Sequence, residues 1–275
     1  MDAEQSLREG RLLEALASLQ DSVRKDPANS KHRVFLFQVL SVLGDWPRAL
    51  NQLVVLGQLD ASTLMMVQAY REAVRCELLR ADVFAGKRTP MVFGEPESWV
   101  AMIVQAAGLT GEGKHEEAAR LRETAFEQAP TTSGVLDGRR FEWIADADMR
   151  LGPILEAVIN GRYYWVPFHR LKSLRMEAPT DLRDLVWLPA QFQWANGGEA
   201  VGLIPTRYPG TEASGDPRLQ MARKTDWREC PGGSFVGVGQ RMLATDAGEH
   251  SLLDLRDLSL DTGAEGPAST TGGEG

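Results

Sequence analysis

Apolar residues in the first 130 positions recur at steps of three or four, which is the spacing of one buried helix face. The clearest stripe runs through Leu64, Val67, Tyr70, Val74 and Leu78. After residue 130 this period fades, and short alternating runs separated by turn residues replace it. The change in period divides the chain into a helical first part and a strand-rich second part.

A 34-residue period underlies the helical part. The first copy contains Gly10, Leu12, Ala15, Leu19 and Pro27. The second copy, 34 positions later, contains Gly44, Trp46, Ala49, Leu53 and Ala61. A third copy, out of phase, contains Gly113, His115, Ala118, Ala125 and Pro130. Glycine at the turn and alanine where paired helices approach closely are typical of tetratricopeptide repeats. The pattern predicts a tetratricopeptide-like α-helical repeat domain, an α-α superhelix, over residues 1–130.

Turn signals in the second part predict hairpins. Asn160-Gly161 separates runs 154–159 and 162–166, and this dipeptide favours a type I′ turn because both residues tolerate positive φ. Turn residues also separate run 186–194 from run 200–204, and run 241–244 from run 251–255, so each pair of runs is predicted to form a hairpin. The predicted fold class is α+β, in which the helical repeat is followed by a small antiparallel β-sheet or partly open barrel over residues 131–260. The polar tail, residues 261–275, is predicted to be disordered.

The stretch GRYYWVPF, residues 161–168, leaves two interpretations open. In a strand, Tyr163 and Trp165 face one side and Tyr164 the other, so these residues cannot all form one exposed platform. They are candidates either for the core of the β domain or for a partner-binding surface. The full candidate set is Tyr163, Tyr164, Trp165, Phe168, Arg183 and Trp187. Segments 162–168 and 181–187 are expected to pack together in the β domain.

Composition narrows the class of partner and compartment. The formal net charge of −8 disfavours a nucleic-acid binder, because phosphate neutralisation needs clustered Lys and Arg. Basic or amphipathic protein partners fit better. Two cysteines, Cys76 and Cys230, provide neither a disulfide framework nor a thiolate metal site. The acidic start MDAEQSLREG has no secretion signal, and no apolar run is long enough to span a membrane. We therefore expect a cytoplasmic protein.

The sequence offers few candidates for a catalytic, metal-binding or cofactor-binding site. The four histidines are scattered without a second ligand at metal-binding spacing, so no metal site is predicted. GVGQR, residues 237–241, lacks the third glycine of a dinucleotide loop, so no cofactor is predicted. One enzymatic alternative is an acidic and aromatic site around Asp146, Asp148, Arg150 and Tyr163. Asp146, Asp148 and Glu156 lie close to arginine in sequence, however, which favours structural salt bridges over acid–base catalysis. No catalytic residue is assigned.

Several blocks of the second part resemble one known family in order along the chain. They are FEWIADADMRLGPILEAVINGRYYWVPF, APTDLRDLVWLPA, LIPTRYPG, RKTDW and VGVGQRML. Together they resemble the ImpE/TagJ family of type VI secretion accessory proteins. The resemblance implies a helical-repeat domain joined to a small β domain and a non-enzymatic role. It also implies a partner, the N-terminal helix of the small tail-sheath subunit, with an indirect link to the ClpV-type ATPase that recycles contracted sheath.

Overall fold

A computed structural model describes residues 2–95 and 97–262 of the 275-residue chain. The helices are α1 (Ala3–Arg8), α2 (Leu12–Lys25), α3 (Ser30–Leu43), α4 (Trp46–Leu59), α5 (Leu64–Phe84), α6 (Ser98–Gly111), α7 (His115–Gln128) and α8 (Pro217–Gln220). The strands are β1 (Met91–Val92), β2 (Gly134–Leu136), β3 (Arg139–Phe141), β4 (Ile144–Asp146), β5 (Ile154–Ile159), β6 (Arg162–Pro167), β7 (Leu171–Met176), β8 (Trp187–Trp194), β9 (Glu199–Pro205), β10 (Thr225–Cys230), β11 (Ser234–Gly239), β12 (Met242–Thr245), β13 (Gly248–Ser251) and β14 (Asp257–Leu260). The chain is therefore α+β, with a helical region followed by a mostly antiparallel sheet region.

Consecutive helices from α1 to α5 pack against one another, and α6 packs against α7. The alanines of the 34-residue pattern, Ala15, Ala49, Ala118 and Ala125, are fully buried. Side chains this small let neighbouring helix backbones approach closely, which explains their spacing in the sequence. The segment between α5 and α6 interrupts the helical pattern because it supplies β1 to the edge of the sheet.

The described residues form one large sheet of nine strands in the order β1-β6-β5-β9-β8-β7-β14-β2-β3. The pairing of β1 with β6 is parallel, and the other pairings of this sheet are antiparallel. Smaller sheets are formed by β10-β11 and by β13-β12-β4. The hairpins predicted at β5-β6 and β8-β9 are confirmed. A hairpin also forms at β12-β13, but its second strand is Gly248–Ser251, and the predicted run 251–255 is mostly the 3-10 turn Leu252–Asp254. At the first turn, φ is 50° at Asn160 and 71° at Gly161, as a type I′ turn requires.

Side-chain alternation along β5 and β6 separates two cores. Leu155 and Val166 face the sheet core, a cluster that also contains Phe168, Phe192 and Leu258. The neighbouring positions of both strands, among them Tyr163 and Trp165, face α5 and α6 in the junction core, together with Val83, Trp99 and Ile103. The predicted separation of Tyr163 and Trp165 from Tyr164 is confirmed. Strands β5 and β6 are therefore covered on both faces, which explains the continuous burial of β5.

A third cluster, the helix core, joins α1 to α5 with part of the sheet region. Val186, Trp187 and Met221 pack there among helical residues such as Phe37 and Tyr70. The helices therefore bury apolar area against the second part of the chain as well as against each other.

The C-terminal tail was predicted to be disordered from residue 261. Residues 263–275 lie outside the described residues. The backbone N–H of Asp261 donates to the carbonyl of Ser133 at 2.9 Å, and the Asp261 carboxylate pairs with Arg140 at 2.6 Å. The described chain thus stays attached to the sheet region through Asp261.

Candidate functional site

A buried ionic network lies where α5 meets β5 and β6. Its centre is Glu156, a fully buried carboxylate on the helix-facing side of β5. Arg80 of α5 donates to it twice, from Nε to Oε1 at 2.7 Å and from Nη2 to Oε2 at 2.9 Å. Arg241 Nη2 and the Tyr163 hydroxyl also donate to Glu156, and Trp165 Nε1 donates to the Tyr163 oxygen at 2.7 Å. The strand aromatics therefore support a carboxylate held between two arginines.

The charges around Glu156 fix its protonation state. Burial by itself would raise the pKa of Glu156, but the Arg80 and Arg241 guanidinium groups and the Tyr163 hydrogen bond lower it to about 2. Glu156 is therefore ionised at neutral pH. A buried carboxylate with two arginine partners and a hydroxyl donor has its hydrogen-bonding capacity filled.

A second arm of the network contains the acidic residues of the enzymatic alternative. Arg241 Nη1 pairs with Asp146 Oδ2, and the backbone N–H of Asp148 donates to Asp146 Oδ1 at 2.8 Å. Arg150 donates to Asp148 from Nε at 2.9 Å and from Nη2 at 2.6 Å. The backbone N–H of Gly237 also donates to Asp148 Oδ2, at 2.8 Å. The predicted salt bridge between Asp148 and Arg150 is confirmed.

Asp146 has a higher pKa than Glu156. Burial raises the pKa of Asp146 to about 7, against the opposing charge of Arg241. Arg241 is shared with Glu156, whereas Glu156 has Arg80 as well, so Asp146 receives less compensation for its desolvation. Asp146 and Glu156 are both buried and both form ion pairs with arginine. This arrangement removes the reason for placing acid–base catalysis here.

The network extends from the sheet into the helices. Arg80 also contacts Glu77 at 3.3 Å, and Glu77 accepts from Trp187 Nε1 at 2.9 Å. Arg80 Nη2 donates to the carbonyl of Arg207 at 2.7 Å, and Arg207 Nη1 donates to the carbonyl of Val42 in α3 at 2.7 Å. One connected set of polar groups thus links α3, α5 and the sheet.

The sequence-derived site residues lie inside the molecule. Tyr163, Trp165, Phe168 and Trp187 have 0–1% of their surface exposed. Tyr164 is half-buried and packs edge-on against Phe93 with ring centroids 6.0 Å apart. Arg183 is also half-buried and pairs with Asp181 at 2.6 Å.

The expectation that segments 162–168 and 181–187 pack together is wrong. Strand β6 is separated from β8 by β5 and β9. Trp187 lies in the helix core beside Tyr70 and Trp46, with ring centroids 5.7 and 5.8 Å away, whereas Trp165 lies in the junction core. The two tryptophans pack against different stretches of α5, Trp187 beside Tyr70 and Trp165 beside Phe84, because their strands occupy different positions across the sheet.

The chain covers part of its own helical surface. The 3-10 turn Leu182–Leu185 packs on α3, where Gln38 Nε2 donates to Asp181 Oδ1 at 2.6 Å. The Arg183 guanidinium lies over the Tyr70 ring, 4.8 Å from its centroid. This surface of α3 and α5 is occupied, so a partner needs a different part of the molecule.

Sequence reasoning missed Arg80, Arg207 and Arg241 as members of the network. Arginine is rarely fully buried, and these residues are 0–4% exposed. A signal existed for Arg80, because it follows Glu77 by three positions and precedes Phe84 by four on the buried side of α5. No comparable period identifies Arg207 or Arg241.

An open groove runs beside α7 on the surface. Its volume is about 760 Å³, and it lies between α7, Met149 and the turn that joins β10 to β11. Ala119, Phe126 and Met149 contribute apolar lining, and Met149 is 42% exposed. We call this feature the α7 groove.

Two general features bear on the kind of site present. Within residues 2–95 and 97–262, no cluster of three or more His, Cys, Asp or Glu side chains could hold a metal ion. In the same residues, no helix has the length and apolar character needed to cross a bilayer.

Comparisons with known proteins agree with the fold. A family model described as ImpE protein matches residues 138–259. The chain is 52% identical over 261 residues to the type VI secretion system accessory component TagJ of Pseudomonas aeruginosa, covering 95% of this chain and 92% of that protein. The crystal structure of a Vibrio parahaemolyticus protein superposes with a TM-score of 0.86 at 25% sequence identity, over 94% of this chain and 97% of that one. The chain belongs to the ImpE/TagJ family of type VI secretion accessory proteins.

Proposed function

We propose that this protein is a non-enzymatic, cytoplasmic adaptor of a type VI secretion system that binds the N-terminal helix of the small tail-sheath subunit. The observation that carries the proposal is its 52% identity, over nearly the whole chain, to an accessory component of such a system. An amphipathic helix can lay its apolar stripe into a groove formed by helices or by a helix and a sheet. The α7 groove is a surface of this kind.

The two parts of the chain have different roles in this adaptor. Residues 1–130 act as a tetratricopeptide-like repeat domain, and residues 131–260 act as the β domain that supports it. Tyr163, Trp165, Arg183 and Trp187 hold these parts together, Phe168 packs within the sheet core, and none of them contacts the partner. Their burial supports this role.

A capture experiment tests the partner. The tagged protein is incubated with the small sheath subunit of the same secretion system, either complete or lacking its first helix. We expect capture of the complete subunit alone. Equal capture of both forms would contradict recognition of the helix, and capture of neither would contradict the sheath subunit as partner.

The link to the ClpV-type ATPase is proposed to be indirect, through the sheath. The ATPase should therefore co-precipitate with this protein only when sheath subunits are present. Direct capture of the purified ATPase would show a different arrangement.

A further inference from the structure

Strand β10 has an unpaired edge. It pairs with β11, and in the part of the chain that the structure describes no third strand joins this hairpin. The hydrogen bond from the Gln240 N–H to the Lys224 carbonyl, 2.9 Å long, fixes the phase of the ladder. Alternate residues of an antiparallel strand direct their backbone groups away from the partner strand, so those of Thr225, Trp227 and Glu229 point outward. These residues can therefore pair with a further strand.

The outward edge of β11, in contrast, is closed by the chain itself. The N–H groups of Gly237 and Gly239 donate to Asp148 Oδ2 at 2.8 Å and to Thr211 Oγ1 at 2.9 Å. Gly237 lies opposite Trp227 in the register, and its N–H points away from β10, which agrees with the phase of the ladder. The open edge of the hairpin is therefore on β10.

The side chain of Trp227 is held in place at the middle of this edge. Its ring packs against the Tyr208 ring, with centroids 5.6 Å apart, and it remains 36% exposed. Gly237, directly opposite in β11, leaves room for Tyr208, because a Cβ there would lie 2.2 Å from the Tyr208 ring. The exposed part of Trp227 is thus available to a neighbouring strand in a fixed orientation.

The charges of β10 are complementary to a second copy of β10. Charged side chains on an edge strand usually oppose pairing. Asp226 and Arg228, however, lie on either side of Trp227 with opposite signs. If two copies run antiparallel with Trp227 opposite Trp227, Asp226 of each copy lies opposite Arg228 of the other. A slip of two residues in either direction places Asp226 opposite Asp226 or Arg228 opposite Arg228, which is unfavourable.

We propose that two copies of the chain pair through β10, antiparallel about a two-fold axis at Trp227, and join their β10-β11 hairpins into one four-stranded sheet. The outward backbone groups then form about six hydrogen bonds between the copies. Asp226 pairs with Arg228 of the second copy on one face of this sheet, and the two Trp227 rings meet on the other. Because a single strand pair is a small interface, the dimer is weak and reversible. None of the β10 residues lines the α7 groove.

Charge reversal tests the pairing. Sedimentation velocity of the full chain, at low salt and with a reducing agent, should show a dimer that increases with concentration in the micromolar range. Asp226→Arg and Arg228→Asp each place like charges opposite one another and should weaken dimerisation about tenfold. The double variant Asp226→Arg/Arg228→Asp restores opposite charges and should dimerise as the wild type does. An equal mixture of the two single variants should form a mixed dimer for the same reason.

Arg120→Asp is the matched control. It makes the same change in net charge as Arg228→Asp, at an α7 position whose side chain is 73% exposed. This control should dimerise as the wild type does. Asp226 and Arg228 are surface residues, so the thermal midpoints of their variants should lie close to that of the wild type.

A disulfide crosslink tests the register. In the proposed pairing, position 224 of one copy lies opposite Cys230 of the other, at a distance that suits a disulfide. On one strand the same two positions are about 20 Å apart. Lys224→Cys should therefore give a covalent dimer on mild oxidation, and Lys224→Cys/Cys230→Ser should give none. Cys76 is 5% exposed and does not compete.

Three outcomes would overturn the proposal. One is a wild type that stays monomeric up to about 0.1 mM, the range in which a small interface still associates. Another is a dimer that both single charge reversals leave intact. The third is a dimer that responds to charge reversal while Lys224→Cys fails to crosslink, because the copies would then pair in a different register. Recovery of the dimer in the double variant and in the mixture would support the Trp227-centred pairing.

Discussion

Glu156→Gln is the sharpest perturbation of the ionic network, because it removes one charge and almost no volume. Glu156 faces Arg80 and Arg241, and the side chains of all three are 0–5% exposed. In the variant, the amide NH2 would oppose guanidinium N–H groups, donor against donor. Two buried cations would then share the remaining carboxylates of the network.

The cost of Glu156→Gln in unfolding free energy can be estimated in two ways, and the two values agree. Breaking one partner of a buried ion pair costs about 3–5 kcal/mol. The lowering of the Glu156 pKa from 4.5 to about 2 corresponds to about 3 kcal/mol of preference for the ionised form in the folded protein. We therefore expect Glu156→Gln to reduce the free energy of unfolding by about 3–5 kcal/mol, a large share of the 5–15 kcal/mol that is usual for a folded protein.

The assay is urea unfolding at pH 7, followed by the fluorescence of the seven tryptophans. Asp21→Asn is the matched control, because Asp21 pairs with Arg24 on the surface with side chains 58% and 72% exposed. Loss of that pair should cost no more than about 0.5 kcal/mol. If Glu156→Gln were no more destabilising than Asp21→Asn, the network would not be what joins α5 to the sheet.

Three further predictions concern pH, packing and thiol chemistry. Asp146 has a folded pKa of about 7, above the value of about 3.9 expected in the unfolded chain, so its proton stabilises the fold below about pH 4 and this contribution is lost as the pH rises to about 7. Asn has no proton to lose, so the unfolding free energy of the wild type minus that of Asp146→Asn should fall between pH 5 and pH 8, which makes the wild type relatively less stable at pH 8; a constant difference would contradict the raised pKa. Trp165→Ala should lower the free energy of unfolding by about 3–5 kcal/mol in a denaturant titration, because Trp165 is fully buried; an unchanged curve would exclude it from the core. Burial raises the pKa of the Cys76 thiol to about 12, so DTNB should label native protein at Cys230 alone, and rapid labelling of Cys230→Ser would show that Cys76 is accessible.

Features of the fold that depend on residues close together in the sequence could be predicted from local patterns. Asn160-Gly161 located the β5-β6 turn because its φ values restrict the residue types that fit. Alternation along β6 separated Tyr163 from Tyr164 because side chains on a strand have a period of two.

Long-range arrangement could not be obtained in the same way. The placement of β9 between β5 and β8 depends on pairings between distant segments, which have no local signature. Trp187 was expected beside Trp165, but its ring reaches Tyr70 and its indole N–H reaches Glu77. An apolar pattern predicts that a side chain is buried and leaves open which element buries it.

The ionic network shows the same limit for charged residues. The pairing of Asp148 with Arg150 was predictable because the residues are two positions apart. The pairing of Glu156 with Arg80 spans 76 positions, and nothing in the sequence near either residue indicates the other.

The covering of α3 by the turn Leu182–Leu185 has a consequence for work with truncated forms of the protein. A fragment that ends at residue 130 would lack this turn and Trp187, and would expose the faces of Tyr70 and Trp46 that Trp187 contacts. A newly exposed apolar patch of this kind promotes self-association and indiscriminate capture of apolar peptides. Ligands selected with such a fragment would report a surface that the intact protein keeps closed, so screens for natural partners or inhibitors should use the full chain.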